Sequence, residues 1–293
     1  MRQTNWALGL SAGVIAFTFW GAVIPELYYI YSDLPSAKLL AYFGVFGTPL
    51  MWILLFSLGK WNEFKNLMHS PQKLILSFMG ALGQMVSMVA FIIGIATNQG
   101  LAVSLSYFVL PLCYVVIGAL FFKEKLSPLM AGALAIAVLS LIFLFMRDGQ
   151  ISWVLPVICL GASLYSTMRK ITDLEPISGL TWELSSLTPF AIIYLLFFAS
   201  SGALPHSGHE WGGYILIAWA NLVPLLALVI CIQYLPFHLV GVMAWIAPTL
   251  TFLLSIFLWK QDININQLIA FIGIWLSMAL YVLAVRQEEA TEQ

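Results

Sequence analysis

The chain has 293 residues, of which 61% are hydrophobic and only 9% charged, with a net charge of −1 at pH 7 and a mean hydropathy of +0.96. That is more apolar surface than a water-soluble core could bury, so a soluble globular protein is excluded. The near-neutral net charge carries little information; what matters is where the charges lie.

A helix crossing a ~30 Å hydrocarbon core needs ~20 apolar residues, and the chain supplies ten such runs separated by short polar breaks. They are Trp6 to Tyr28, Ala37 to Leu58, Leu74 to Ala96, Leu101 to Phe122, Leu129 to Met146, Ile151 to Met168, Gly179 to Ala199, Gly213 to Tyr234, Phe237 to Trp259 and Gln267 to Val285. The expected fold is an all-α integral membrane protein of ten transmembrane helices. With the N-terminus cytoplasmic, nine of the twelve basic residues fall on the cytoplasmic side, and only Lys38, Arg147 and Lys260 fall opposite. This is the positive-inside pattern, and it leaves both termini cytoplasmic.

The first span carries Thr18-Phe-Trp20-Gly21 and then Pro25-Glu26 near its outer end, where a carboxylate costs little. Between the second and third spans, Lys60 to Lys73 is amphipathic and mildly basic, as expected of a segment lying on the lipid surface. The third span brings Gln84 and Ser87 to mid-membrane depth. In the fourth, Ser104, Tyr107, Pro111 and Tyr114 follow at i, i+3, i+7 and i+10 along one helical face, either as packing or as a cavity wall.

Ser104 to Phe145 recurs after an offset of 137, which lays Phe108-Val-Leu-Pro111 over Trp245-Ile-Ala-Pro248 and Phe122-Lys123 over Trp259-Lys260. Upstream the offset is 140, where Thr48-Pro49 meets Thr188-Pro189. Five spans per copy is an odd number, so the second copy enters the membrane from the opposite side. The expected domains are an inverted pair of five-helix repeats, 1–147 and 148–287, followed by an acidic cytoplasmic tail, 288–293. Prolines inside spans leave carbonyls that neighbours or water must satisfy, and prolines paired by the repeat favour a pathway.

The sixth span ends in Leu164-Tyr165-Ser-Thr-Met-Arg169-Lys170, expected as a cytoplasmic stop. In the seventh, Glu183 sits about four residues in, some ~6 Å deep. It is either an interfacial carboxylate paired with Arg169 or Lys170, or an interior site for substrate or a proton. His206-Ser-Gly-His209 is too sparse to predict a metal site, and Cys113, Cys159 and Cys231 lie inside spans as packing residues. In the ninth span Gly241, Trp245 and Pro248 share one face, the repeat partner of the Tyr107 face.

Several motifs together resemble the RarD-type branch of the EamA family in the drug/metabolite transporter superfamily. They are Phe19-Trp20-Gly21 with Pro25, Ser70-Pro-Gln-Lys73, Ser104-Leu-Ser-Tyr107-Phe-Val-Leu-Pro111, Leu164-Tyr165 with Arg169-Lys170, Ser178-Gly179 with Glu183, and Ile246-Ala-Pro248-Thr-Leu. The resemblance spans nearly the whole chain and implies ten helices in two inverted repeats around a central cavity. The chain departs from the branch where members commonly carry polar residues. It has Lys38 and Tyr42-Phe43 in the second helix, Ser87-Met88 in the third, Ala102 in the fourth and Ala244-Trp245 in the ninth. Those changes point to a less charged, more aromatic or apolar ligand.

The reading is a secondary transporter, an exporter of a small organic metabolite, amino acid or drug across a bacterial inner membrane by alternating access, with proton coupling through Glu183 as one option. Candidate substrate-binding residues are Trp20, Gln84, Tyr107, Tyr165, Glu183 and Trp245. No cofactor, metal, nucleic acid or obligate protein partner is expected beyond the lipid bilayer. The sequence holds no Gly-x-Ser-x-Gly, His-Glu-x-x-His or pair of intramembrane acids, so an enzyme on a lipid-linked group is the weaker alternative, beside a non-transporting sensor or partner.

Overall fold

The computed structural model describes residues 5–148, 152–199, 202, 204–260 and 265–292. Ten long helices account for nearly all of them: α1 (Trp6–Ile30), α2 (Ser36–Ser57), α3 (Pro71–Ala96), α4 (Gly100–Phe121), α5 (Pro128–Asp148), α6 (Val154–Thr172), α7 (Pro176–Phe197), α8 (Gly208–Tyr234), α9 (Phe237–Phe257) and α10 (Ile265–Glu292). Among the described residues nine are long and apolar enough to cross a membrane. The tenth, α6, has 19 residues and carries Arg169 and Lys170 in its last turn. Arg2 and the side chains of the acidic tail lie outside the described residues.

Helix ends follow local chemistry. The Asn5 side chain accepts from the Leu8 amide to start α1, and Ser207 accepts from the Glu210 amide to start α8. At α7 the Glu175 carboxylate accepts from the Ser178 amide ahead of Pro176, whose missing N–H costs nothing in a first turn. Asp173, in left-handed conformation, closes α6. Lys60 to Lys73 contains a short helix, Trp61–Met68, whose Phe64 and Leu67 turn inward while Trp61 and Met68 stay exposed, as an interfacial segment requires.

Two helix boundaries and one buried charge differ from the sequence expectation. α6 runs past Arg169 and Lys170 to Thr172, and Arg169 is buried rather than a cytoplasmic stop. α7 starts at Pro176, so Glu183 lies two turns in, roughly 10 Å at 1.5 Å per residue, deeper than the span boundary predicted. Lys38, expected as an outer-side surface charge, is buried in α2 and partnered.

α2 packs on α7, α4 on α9, α5 on α10, α1 on α8 and α3 on α6. Exchanging residues by the sequence offset turns each of these pairings into itself or into another of them. Two contacts join residues the offset relates directly: Thr48 Oγ1 lies 2.6 Å from Thr188 Oγ1, and Trp245 Nε1 donates to the Phe108 carbonyl at 3.1 Å. Lys123 and Lys260, also equivalent, both end their helices with positive φ, 53° and 55°.

Prolines shape the middle of the bundle. Pro25 follows a π-helical bulge at Phe19–Val23, and the carbonyl four residues before it, Gly21, accepts from Thr251 Oγ1 at 2.9 Å. Pro248 coincides with a break in α9 at Trp245. The Phe108 carbonyl, three residues before Pro111, is the one that Trp245 satisfies. The Gly21 and Phe108 carbonyls, beside Pro25 and Pro111, are thus each taken up by a side chain from across the bundle.

Candidate functional site

A cavity of ≈ 410 Å³ lies among α1, α2, α3, α6, α7 and α8. Trp20 and Tyr28 line it from α1, Gln84 and Met88 from α3, Tyr165 from α6, Glu183, Leu187 and Phe190 from α7, and Asn221 from α8. Four of the six sequence candidates therefore meet here: Trp20, Gln84, Tyr165 and Glu183. The other two do not line the cavity. Tyr107 packs edge-on against Phe91 in a separate apolar cluster with Val157. Trp245 is fully buried where α9 meets α4, and its face, including Gly241 against the Pro111 carbonyl, packs on the face of α4 that lies 137 positions earlier in the chain. The polar-aromatic stripe is packing at these positions.

One end of the cavity is closed by a buried polar cluster. Arg169 Nη1 donates to Glu183 Oε1 at 3.0 Å, Ser77 Oγ donates to the same oxygen at 2.7 Å, and Tyr165 OH donates to Oε2 at 3.2 Å. The two charged side chains are 3% and 4% exposed, so the pair is out of solvent and each charge depends on the other. Three helices are tied at this point: α3 through Ser77, α6 through Tyr165 and Arg169, α7 through Glu183. Gly179, one turn before Glu183, has no side chain because a Cβ there would strike the Arg169 guanidinium. Trp182 Nε1 adds a bond from α7 to the Leu74 carbonyl of α3 at 3.3 Å.

The same end of the bundle, called the near end below, carries a second polar junction. Glu124, in the turn after α4, caps the start of α9 by accepting from the Phe237 and His238 amides at 2.6 and 2.8 Å, and it lies 2.9 Å from His238 Nδ1. Burial pushes its carboxyl up, but the hydrogen bonds from His238 and the two amides outweigh that and hold it below the ordinary carboxylate range. Lys170 Nζ donates to the Ile232 and Leu235 carbonyls at 2.9 and 2.5 Å and so closes the end of α8. At the opposite, far end, Trp259 Nε1 donates to Glu26 at 3.1 Å, and His209 stands 3.3 Å from Asp33 and against Tyr31.

Sequence reasoning missed Ser77, Tyr28 and Asn221 as parts of this region. It offered Arg169 as one of two partners of an interfacial Glu183, because nothing in one sequence tells a buried guanidinium from a snorkelling one; the pair forms, but buried. The signal that existed was Gly179 beside Glu183, a gap in a helix that a long side chain from elsewhere fills.

Ten packed helices, apolar outside and holding a solute-sized cavity with a closed end, make this a multi-pass helical membrane protein with the build of a transporter. No family model matches the chain. Over 291 residues it is 31% identical to the "Uncharacterized transporter YojE" of Bacillus subtilis, covering 96% of this chain and 95% of the relative. It is 28% identical to the "Uncharacterized transporter PA0485" of Pseudomonas aeruginosa and 27% identical to that organism's "Chloramphenicol-sensitive protein RarD", over 96% and 93% of this chain and 95% and 91% of theirs. The chain belongs to the RarD-type transporter family. A solved crystal structure shares the fold with a TM-score of 0.74 at 17% identity, over 97% of this chain and 99% of that one.

Proposed function

We propose that the protein is a secondary transporter, not an enzyme, that exports a small organic metabolite, amino acid or drug across the inner membrane by alternating access. The observation that carries this reading is the cavity sealed at the near end by the Glu183–Arg169 pair while its other flank is lined by residues of α2, α3 and α7. The direct contacts between offset-related residues, Thr48 with Thr188 and Phe108 with Trp245, support two inverted halves, 1–147 and 148–287, turning about a shared axis. The charge count along the chain supports cytoplasmic termini, which makes the sealed end the cytoplasmic one. The Pseudomonas relative's name ties it to chloramphenicol sensitivity, which supports a drug-sized organic ligand for this chain.

In this reading Glu183 acts first as a latch. Its oxygens are committed to three donors, so it can take up a proton only when the near end opens, and that ordering is what couples a proton to a conformational cycle. Counterflow in proteoliposomes with labelled amino acids, aromatic compounds and quaternary amines tests both parts, run with and without an imposed pH gradient for wild type and Glu183→Gln. Uptake of one class, gradient-driven only in wild type, is the expected result. Equal pH dependence in Glu183→Gln sinks the proton role, and no movement of any compound by folded protein sinks the transporter reading.

A further inference from the structure

The cavity's chemistry and the way α3 and α7 part company narrow the ligand. Among the lining residues Glu183 is the one carboxylate, with no Lys, Arg or His beside it on the wall, and the Arg169 guanidinium pairs with it from behind at 3.0 Å. A second charge entering with a ligand would find no counter-ion on this wall. Most of the remaining lining is apolar, with Gln84 the exception that has no use in the folded chain. Its amide makes no hydrogen bond among the described residues, although it can donate two and accept two. Asn221, across the cavity, spends its Nδ2 on the Ile217 carbonyl at 2.8 Å and keeps its oxygen. Idle amide groups in an apolar wall fit a ligand that brings a matching amide or hydroxyl.

The route follows from packing. α3 and α7 are bonded only near one end, by Ser77 to Glu183 and Leu74 to Trp182. Beyond that point α7 leans on α2, through Thr188 against Thr48 and Ala191 against Gly44, whereas α3 leans on α6, through Gly83 against Gly161 and Gly94 against Val154. The two helices are held by different neighbours, and the cavity reaches the surface between them. Its rim residues, Val89 and Ile93 on α3 and Phe190 on α7, are 41%, 40% and 50% exposed and wholly apolar, as suits hydrocarbon. On the outside of the closed part of the seam, a shallow apolar groove formed by Pro71, Ile75, Phe78 and Trp182 continues the same line.

We infer that the cavity takes uncharged amphiphiles dissolved in the bilayer, which enter sideways between the far halves of α3 and α7 and are recognised by Gln84 through an amide or hydroxyl. This rests on the transporter reading for its purpose, but concerns which molecules the site holds and how they reach it.

The test uses four compounds with one benzyl group and different charge: N-acetylphenylalaninamide (neutral), N,N,N-trimethylphenylalaninamide (fixed cation), N-acetylphenylalanine (anion) and phenylalanine (zwitterion). Tritiated forms are measured for equilibrium binding to the protein in lipid nanodiscs and for flux in proteoliposomes. The neutral compound should bind about a hundredfold more tightly than any charged one, since an unmatched charge at membrane depth costs that much. Gln84→Leu should weaken the neutral compound about tenfold. Ile93→Trp, which narrows the rim, should slow its association severalfold while leaving Gln84→Leu-sensitive binding in place at equilibrium. Tighter binding of a charged compound, or no effect of Gln84→Leu in protein shown to be folded by its thermal transition, overturns the ligand class. Unchanged association in Ile93→Trp overturns the route. The two readings fail separately: charged compounds that move while the neutral one does not bind remove this inference and keep the transporter, and neutral binding without any flux does the reverse.

Discussion

Removing the Arg169 guanidinium should expose how much the fold relies on the latch. Arg169→Met keeps the length of the side chain and takes away the charge, leaving Glu183 buried with only the Ser77 and Tyr165 hydroxyls. Breaking a buried pair from one side costs about 3–5 kcal/mol, because the surviving ion stays out of water without its partner. Both side chains are almost fully buried, so solvent screening gives little relief. Glu183→Gln should cost less, about 1.5–3 kcal/mol, since a neutral amide oxygen still accepts from Ser77 and from Arg169. The double variant carries no buried charge and should return to within about 1–2 kcal/mol of wild type. Reversible unfolding in bicelles, read across all four proteins, gives the coupling energy directly. A loss below about 1 kcal/mol in Arg169→Met, with the double variant equal to the sum of the singles, would show that the pair is not held as described.

Gly21→Ala should destabilise by about 1–3 kcal/mol, because the added Cβ would lie 2.6 Å from the Ala247 carbonyl oxygen and 2.7 Å from its Cα, backbone atoms that cannot step aside; thermal stability of purified protein reads this. Glu124→Gln bears on pH. The folded-state carboxyl lies below its unfolded value, so its contribution is present above the unfolded pKa near ~4.3 and fades as pH falls through the folded one. Wild type should thus lose stability on acidification below about pH 4 more steeply than Glu124→Gln, and matching pH profiles would refute the assignment.

Hydropathy was enough to read the fold class, because a membrane leaves few alternatives to long apolar helices. The site was partly legible. Trp20, Gln84, Tyr165 and Glu183 stood out as polar or aromatic groups at membrane depth, and they converge. Tyr107 and Trp245 stood out for the same reason and are packing, Tyr107 against Phe91 and Trp245 against the Phe108 carbonyl of the facing helix. Arg169 was expected at a cytoplasmic stop, as one of two partners for Glu183, because charge near a span end ordinarily lies there; the burial of the pair, with Gly179 making room for it, was not legible.

The latch has no twin. Shifting Glu183 and Arg169 back by 140 lands on Phe43 and Tyr29, so the matching place in the first half holds two aromatic rings. At the far end Tyr29 stacks on Trp259 at 5.5 Å between ring centres, with Glu26 bonded to the same indole. If the halves trade conformations, the molecule exchanges an ion pair for ring contacts each time it turns over. The two locks then differ in kind, so that one side of the cycle rests on desolvated charge and the other on apolar ring contact.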